Sequence, residues 1–343
     1  MSYRDSRRRS SCALVGGLLV MTAAVYAASL RWGYVYEDAA NMTFGWSGHG
    51  LRLVPGRSLS VWLWEGIGAL TGFAPVWQRL VSLLLHLVNG ALIWRLAVGL
   101  GFDRVGIAVA TGLFLLHPLQ IEAVVSVAYR TELLIALCVL LACWCGEQGR
   151  WWLAWPLMML APLVKPAGVV ALALVPLWAC WRRSPSWTPT VRLWWALACV
   201  PMLLISGAWV QQEWNGGRGL AWMSLPAATE TLAAWTLLLG QWAVPWRPTI
   251  DPDWTRLITW PVATTALVAW GVAVGMVAQT WRVAASWLVL LVAWSGALVL
   301  PRLLWQLGEG LHGHHLYAGT IALALATGKC FHHGQGQTHA EPY

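Results

Sequence analysis

The chain has 343 residues, of which 58% are hydrophobic and only 10% carry a charged side chain. Soluble globular domains usually carry about 25% charged residues, so this composition excludes a water-soluble fold. A membrane span needs about 20 apolar residues, and this length therefore accommodates on the order of ten spans without a large soluble domain. The excess of 22 Lys and Arg over 14 Asp and Glu gives a net charge of +8, which in a membrane chain bears on topology rather than on nucleic acid.

The first predicted span, residues 12–30, follows a basic stretch that contains Arg4, Arg7, Arg8 and Arg9. This is the pattern of a signal peptide or of a signal anchor. Because many further spans follow, we favour an uncleaved first helix.

Ten apolar runs are suited to spans, at residues 12–30, 80–100, 105–121, 131–146, 152–164, 167–181, 191–210, 257–280, 284–301 and 316–330. A further run, 227–244, is interrupted by Gly240 and is predicted as a re-entrant helix, with a spanning helix as the alternative. Residues 58–70 are too polar to span and predict an amphipathic helix in the membrane interface. The fold class is therefore an all-α polytopic membrane protein with about 10–11 transmembrane helices. One domain covers 1–330, with a first external loop at 31–79, and a polar tail covers 331–343.

The charge distribution predicts the orientation. With a cytoplasmic N-terminus and a re-entrant 227–244, the cytoplasmic segments hold twelve basic and four acidic residues. The opposite face holds ten of each, and thus most of the carboxylates. We expect any chemistry on that non-cytoplasmic face.

The first external loop carries an acidic pair, Glu37 and Asp38, in aromatic surroundings. A partly desolvated carboxylate at such a position can deprotonate an acceptor hydroxyl. The alternative is a solvated pair of loop acids.

Polar residues in the next two spans suggest a binding face. His86 and Asn89 are three residues apart and share a helix face, which we expect to turn toward the bundle interior. Glu122, Ser126 and Arg130 are spaced by four residues, which predicts an acid, a hydroxyl and a guanidinium along one helix face at the external rim. A structural pair of Glu122 with Arg130 is the alternative to ligand binding.

Lys165 interrupts two apolar runs between Pro162 and Pro166. Its ammonium either extends to the interface alone or holds a phosphate as a point charge.

In their order, these motifs resemble one family. The stretches YVYEDAANM, RLVSLLLHLVNGAL, LFLLHPLQIEAVVSVAYRTELL and LAPLVKPAGVVALALVPL are similar to those of GT-C-type polytopic glycosyltransferases, notably the membrane domain of the transmembrane and tetratricopeptide-repeat O-mannosyltransferases and their bacterial relatives. The resemblance covers 30–180 well and 230–325 loosely. It departs where Pro166 follows Lys165 in place of an acid, and where Gly313 and His314 stand in place of a Glu-Arg pair.

The resemblance implies a GT-C-like, inverting glycosyltransferase of a bacterial inner membrane, active on the periplasmic or external face. Its donor is a sugar on polyprenyl phosphate, and its acceptor a protein or glycan. The resemblance gives Asp38, together with Glu37, the roles of catalytic base and of orienting the acceptor. It gives Arg130 and Lys165 the role of binding the donor phosphate. The remaining candidates would bind substrate: His117, Glu122, His314 and Tyr317.

Other classes stay open from the sequence. A flippase, a transporter subunit or a degenerate GT-C member would have the same composition, although a transporter is expected to place its ionisable residues near the bilayer midplane. Acidic residues beside a phosphate could bind a divalent ion, but the sequence shows no fixed metal-ligand spacing and no other cofactor motif. The expected partners are the lipid-linked donor, the acceptor and membrane lipids, without nucleic acid.

Overall fold

The computed structural model describes residues 3–35, 38, 58–215, 221–222, 225–243, 264–265, 268, 271–272, 287–306 and 313–331. Within this part the chain is predominantly helical. The α-helices are α1 (Tyr3–Ala27), α2 (Ser58–Thr71), α3 (Pro75–Gly99), α4 (Arg104–Leu116), α5 (Ile121–Val125), α6 (Arg130–Glu147), α7 (Trp151–Val164), α8 (Ala171–Trp181), α9 (Pro189–Asn215), α10 (Leu225–Ala243), α11 (Trp287–Leu304) and α12 (Gly319–Cys330). Short 3-10 helices cover Ala28–Arg31, Pro118–Gln120, Pro166–Val170 and Gly313–Leu316, and β1 (Ala221–Trp222) pairs antiparallel with β2 (Trp305–Gln306).

Two helical stretches in the described residues, Cys12–Arg31 and Pro75–Gly99, are long and apolar enough to cross a membrane. A third is obtained when Arg104–Leu116 and Pro118–Val125, which meet at a bend of 43°, are taken as one span. The other apolar helices that are found in the described residues are shorter, at Trp151–Val164, Pro166–Trp181, Pro189–Leu204 and Val289–Leu298. The arrangement with ten spans stays a prediction, and predicted span 257–280 lies outside the described residues apart from isolated positions.

Helix α6 forms the centre of the bundle, with α3, α7 and α8 packed around it. Its sequence is apolar on all sides, which is typical of a helix that is surrounded by others. Leu133, Ala136, Val139 and Leu140 are almost completely buried. Helix α1 packs on α3 and α4, and α12 packs on α4.

His86 and Asn89 lie on one buried face of α3, as predicted. The His86 Nδ1 atom lies 2.7 Å from the Tyr317 hydroxyl, and the Asn89 amide donates to the same oxygen at 3.3 Å. The His86 Nε2 atom lies 3.0 Å from the Leu115 carbonyl. These bonds join α3, α4 and the segment just before α12 inside the apolar bundle, where unpaired polar groups would cost free energy.

Helix α10 lies across one end of the bundle. The Trp242 carbonyl near its C-terminus is bonded to His117, while β1, just before its N-terminus, pairs with β2 at the C-terminus of α11. The other end of α11 packs against Phe102 at the opposite end of the bundle. The predicted break at Gly240 is wrong, because α10 continues through this glycine to Ala243.

Candidate functional site

Five charged side chains gather at the end of the bundle where α3 and α6 begin and α7 ends: Asp38, Arg79, Arg130, Glu132 and Lys165. We call this group the charged end. Four of the five are buried, and the Lys165 side chain retains 17% of its exposure. Buried charges require partners, so the bonds of each define what the group can do.

Asp38 is 1% exposed, and its carboxylate accepts three hydrogen bonds. The Ser126 hydroxyl donates to Oδ1 at 2.9 Å, the Ala128 N–H donates to Oδ1 at 2.7 Å, and the Val35 N–H donates to Oδ2 at 3.3 Å. These contacts join the start of the first loop to the segment between α5 and α6. In this conformation Asp38 holds two segments together, and its access to an acceptor is closed.

Arg79 fixes the same loop from the other side. Its Nε donates to the Val125 carbonyl at 3.0 Å, and its terminal nitrogens donate to the carbonyls of Ser29, Trp32 and Gly33. The guanidinium thereby satisfies carbonyl groups at the end of the first helical segment, where a helix lacks internal partners. Arg79 also interacts electrostatically with Asp38.

Arg130 begins α6 and is 4% exposed. It donates to the Gln78 carbonyl and side-chain oxygens, both at 2.7 Å, and to the Ser82 hydroxyl at 3.2 Å. The predicted single helix face of Glu122, Ser126 and Arg130 is wrong: α5 ends at Val125, and the chain turns before α6 starts. Ser126 faces Asp38 because of this turn.

Lys165 pairs with Glu132 at 2.8 Å. The sequence predicted that Lys165 extends to the interface alone or holds a phosphate, and it did not predict this partner, which the first turn of α6 places opposite the end of α7. The turn is tight: a Cβ atom at Gly168 would lie 2.1 Å from the Ala161 carbonyl oxygen. The Ser60 hydroxyl of α2 donates to the Val164 carbonyl at 3.0 Å, so the predicted amphipathic helix packs directly beside this lysine.

Tyr34 lies between the loop and α2. Its hydroxyl donates to the Phe73 carbonyl, and its ring packs against Trp64. Burial raises the pKa of the Tyr34 phenol to about 12; the Asp38 charge adds to the rise, while Arg130 and Arg79 oppose it. Tyr34 is therefore a neutral donor at physiological pH.

The remaining predicted site residues lie on other elements than α3, α6 and α7, or outside the described residues. His117 stacks on Trp242 and lies 3.0 Å from its carbonyl, while the Tyr317 hydroxyl is inside the bundle with His86. Glu122 is buried in the first turn of α5. The structure describes the backbone of His314, in the 3-10 helix Gly313–Leu316, but not its side chain. Glu37 lies outside the described residues.

Sequence reasoning missed Arg79, Gln78 and Ser82. The sequence pattern that could have predicted them is PVWQRLVS, a first turn with polar residues at the start of a long apolar helix. A buried arginine there requires several acceptors nearby, and a loop end can supply them.

Chemically, the group offers a partly exposed ammonium on Lys165, two buried guanidinium groups on Arg79 and Arg130, and a loop whose sequence carries two adjacent acids. Among the described residues, no set of three or more His, Cys, Asp or Glu is placed to hold a metal ion. No family model matches the chain, and neither the curated proteins nor the solved structures contain a match.

Proposed function

We propose that the chain is a multi-pass, GT-C-like membrane glycosyltransferase that transfers a sugar from polyprenyl phosphate to a protein or glycan acceptor on the non-cytoplasmic face. The observation that carries this proposal is the charged end of the apolar bundle, where Lys165 pairs with Glu132 and Arg130, at the start of the same helix α6, interacts electrostatically with Asp38 of the acidic loop. A lipid-linked donor requires such a combination of apolar helices and fixed cations.

Lys165 is the group that contacts the donor phosphate in this proposal, because it is the more exposed of the two cations. Negative charge develops on a leaving phosphate as the glycosidic bond breaks, so a fixed ammonium stabilises the transition state more than the ground state. Arg130, whose bonds all go to α3, holds the first turn of α6 and with it Glu132. It is a positioning residue and adds positive potential.

The two acids of the first loop, Glu37 and Asp38, have different roles in this proposal. Because the Asp38 carboxylate is occupied by three hydrogen bonds, Asp38 positions the loop, and we assign proton transfer from the acceptor hydroxyl to Glu37. This differs from the assignment of Asp38 as the base that the sequence suggested. The first external loop remains the source of the base in both cases.

The test compares envelope glycans by mass spectrometry in a deletion strain complemented with wild type, Lys165→Ala or Glu132→Gln. We expect one glycan or glycoprotein to disappear on deletion, to return with wild type and Glu132→Gln, and to stay absent with Lys165→Ala. Glu132→Gln is the matched control, because it breaks the same ion pair but keeps the cation. Equal loss in both variants at wild-type protein levels would show that only the ion pair matters.

A non-catalytic membrane protein is the second candidate. The observation that favours it is the pairing of charges within the group, above all Lys165 with Glu132. An unchanged glycan profile in the deletion strain would favour this candidate over the transferase.

A further inference from the structure

Helix α7 is apolar along its whole length and has a charged residue at each end. Its 14 residues include no charged side chain, the exposed Arg150 precedes it, and Lys165 follows it. With a rise of about 1.5 Å per residue, the backbone positions of the two charged residues are about 22 Å apart. The hydrocarbon core of a bilayer is about 30 Å thick, so α7 is about 8 Å shorter than the membrane it would cross.

Helix α7 runs antiparallel to α6 along nearly all of its length. At one end the Trp151 ring packs against Gly146, near the C-terminus of α6, and at the other end Lys165 pairs with Glu132 in the first turn of α6. Large apolar side chains on the outward side of α7 are exposed: Trp152, Trp155 and Leu160. In a membrane bundle such a side contacts lipid, and α7 therefore presents a short apolar face to the bilayer.

The two flanking charges leave little freedom to adjust this length. A lysine beside a short apolar helix usually extends its ammonium to the interface. Lys165 does not, because its ammonium is held 2.8 Å from the Glu132 carboxylate on the neighbouring helix. A shift of α7 toward the external side would instead draw the Arg150 guanidinium into hydrocarbon, which is unfavourable. The bilayer therefore has to adapt to the helix.

Helix α2 indicates which leaflet adapts. The Ser60 hydroxyl donates to the Val164 carbonyl at 3.0 Å, so α2 lies against the last residue of α7. The sequence predicts that α2 lies in the external interface, at the level of the headgroups. The external headgroup level beside α7 then coincides with the end of α7 and does not lie beyond it.

Helix α3 presents a longer apolar face to the same membrane. It has 25 residues, a length of about 37 Å, and is long and apolar enough to cross. Its arginine near the external end, Arg79, is buried and does not meet lipid. The exposed side chains along this part of α3 are apolar: Val76, Trp77, Leu84 and Val88. This face matches an undisturbed bilayer.

We propose that the external leaflet is thinned by about 8 Å against α7, and that phospholipids with short acyl chains collect at this face. The thinning is confined to the side of α7, because α3 matches the full thickness. The inference depends on helix length and charge, and it is independent of the proposed transferase chemistry.

The test measures membrane depth by power saturation of nitroxide spin labels at Leu160→Cys and, as the matched control, at Val88→Cys. The full chain, without other cysteines, is reconstituted in dioleoylphosphatidylcholine. In an undisturbed bilayer both labels lie about 15 Å from the headgroups, whereas thinning places Leu160 about 7 Å below the external ones. We therefore expect the Leu160 label at about half the depth of the Val88 label.

Equal depths of the two labels would overturn the thinning. A Leu160 label that neither oxygen nor a nickel chelate reaches would show that protein, and not lipid, covers this face.

A second measurement removes the charges at the external end of α7. In Glu132→Gln with Lys165→Met the apolar run continues into the next helix, and the Leu160 label should move to the depth of the Val88 label. Without labels, the thermal midpoint of wild type should be higher in dimyristoleoyl- than in dierucoyl-phosphatidylcholine, and the double variant should reduce this difference. This comparison decides the outcome if a labelled chain fails to fold. The same difference in both proteins would overturn the assignment to this charged terminus.

Discussion

Replacing Asp38 separates a positioning carboxylate from a catalytic base. In Asp38→Asn, the amide oxygen keeps the two stronger bonds, from Ser126 and Ala128, while the amide nitrogen meets the Val35 N–H. The variant lacks one weak hydrogen bond and the negative charge of the carboxylate. We therefore expect its free energy of unfolding to be lower by about 1–2 kcal/mol. Asp38→Ala removes all three bonds and leaves buried donors unpaired, at a cost on the order of 3–5 kcal/mol.

Activity should follow a different order. With Asp38 as a positioning residue, Asp38→Asn should retain single-turnover transfer within about tenfold of wild type, whereas loss of a general base typically costs a hundredfold to ten-thousandfold. Glu37→Gln should show the larger loss without loss of stability. The assays are chemical unfolding in mixed micelles and single-turnover transfer from a labelled polyprenyl-phosphate sugar. Wild-type stability of Asp38→Asn together with a loss of a hundredfold or more would refute this reasoning and make Asp38 the base.

Three further predictions concern the charged end and its orientation. Arg79→Gln should lower the free energy of unfolding by on the order of 4 kcal/mol, because it leaves several buried carbonyl groups without their donor; a loss below about 1 kcal/mol in mixed micelles would contradict this. Gly168→Ala should lower the thermal midpoint because of the close Ala161 carbonyl, whereas Gly66→Ala in α2, with open space around it, should not; equal midpoints would show that the turn relaxes. In a background without other cysteines, Leu70→Cys should react with an impermeant thiol reagent in intact cells and Arg183→Cys only after lysis; the reverse order would invert the topology.

Apolar periodicity and composition were sufficient to predict most helices. The helix Ser58–Thr71 closely matches the predicted amphipathic segment, and α3 matches its predicted span within a few residues except at its start. The inward face of His86 and Asn89 was predictable because polar groups in an apolar helix require partners. These features depend on local sequence.

Features that depend on tertiary contacts were not predictable. Because the chain turns after Val125, Glu122 and Arg130 lie on different helices and the predicted common face does not form. Asp38, from a loop distant in the sequence, stabilises this turn. Lys165 finds Glu132 only because α6 and α7 pack side by side. Arg79 was missed since its acceptors are backbone carbonyls, which no side-chain motif reveals.

We propose that the charged end transfers a sugar from a polyprenyl-phosphate donor, with Lys165 on the leaving phosphate. The most direct measurement is single-turnover release of polyprenyl phosphate from labelled donor in proteoliposomes, with acceptor at saturation. Wild type should release the lipid phosphate, Glu132→Gln should do so within about tenfold, and Lys165→Ala should be slower by a hundredfold or more. Release by wild type and Lys165→Ala at the same rate would contradict the role of Lys165, and no release by wild type from any donor tested would contradict the transferase itself.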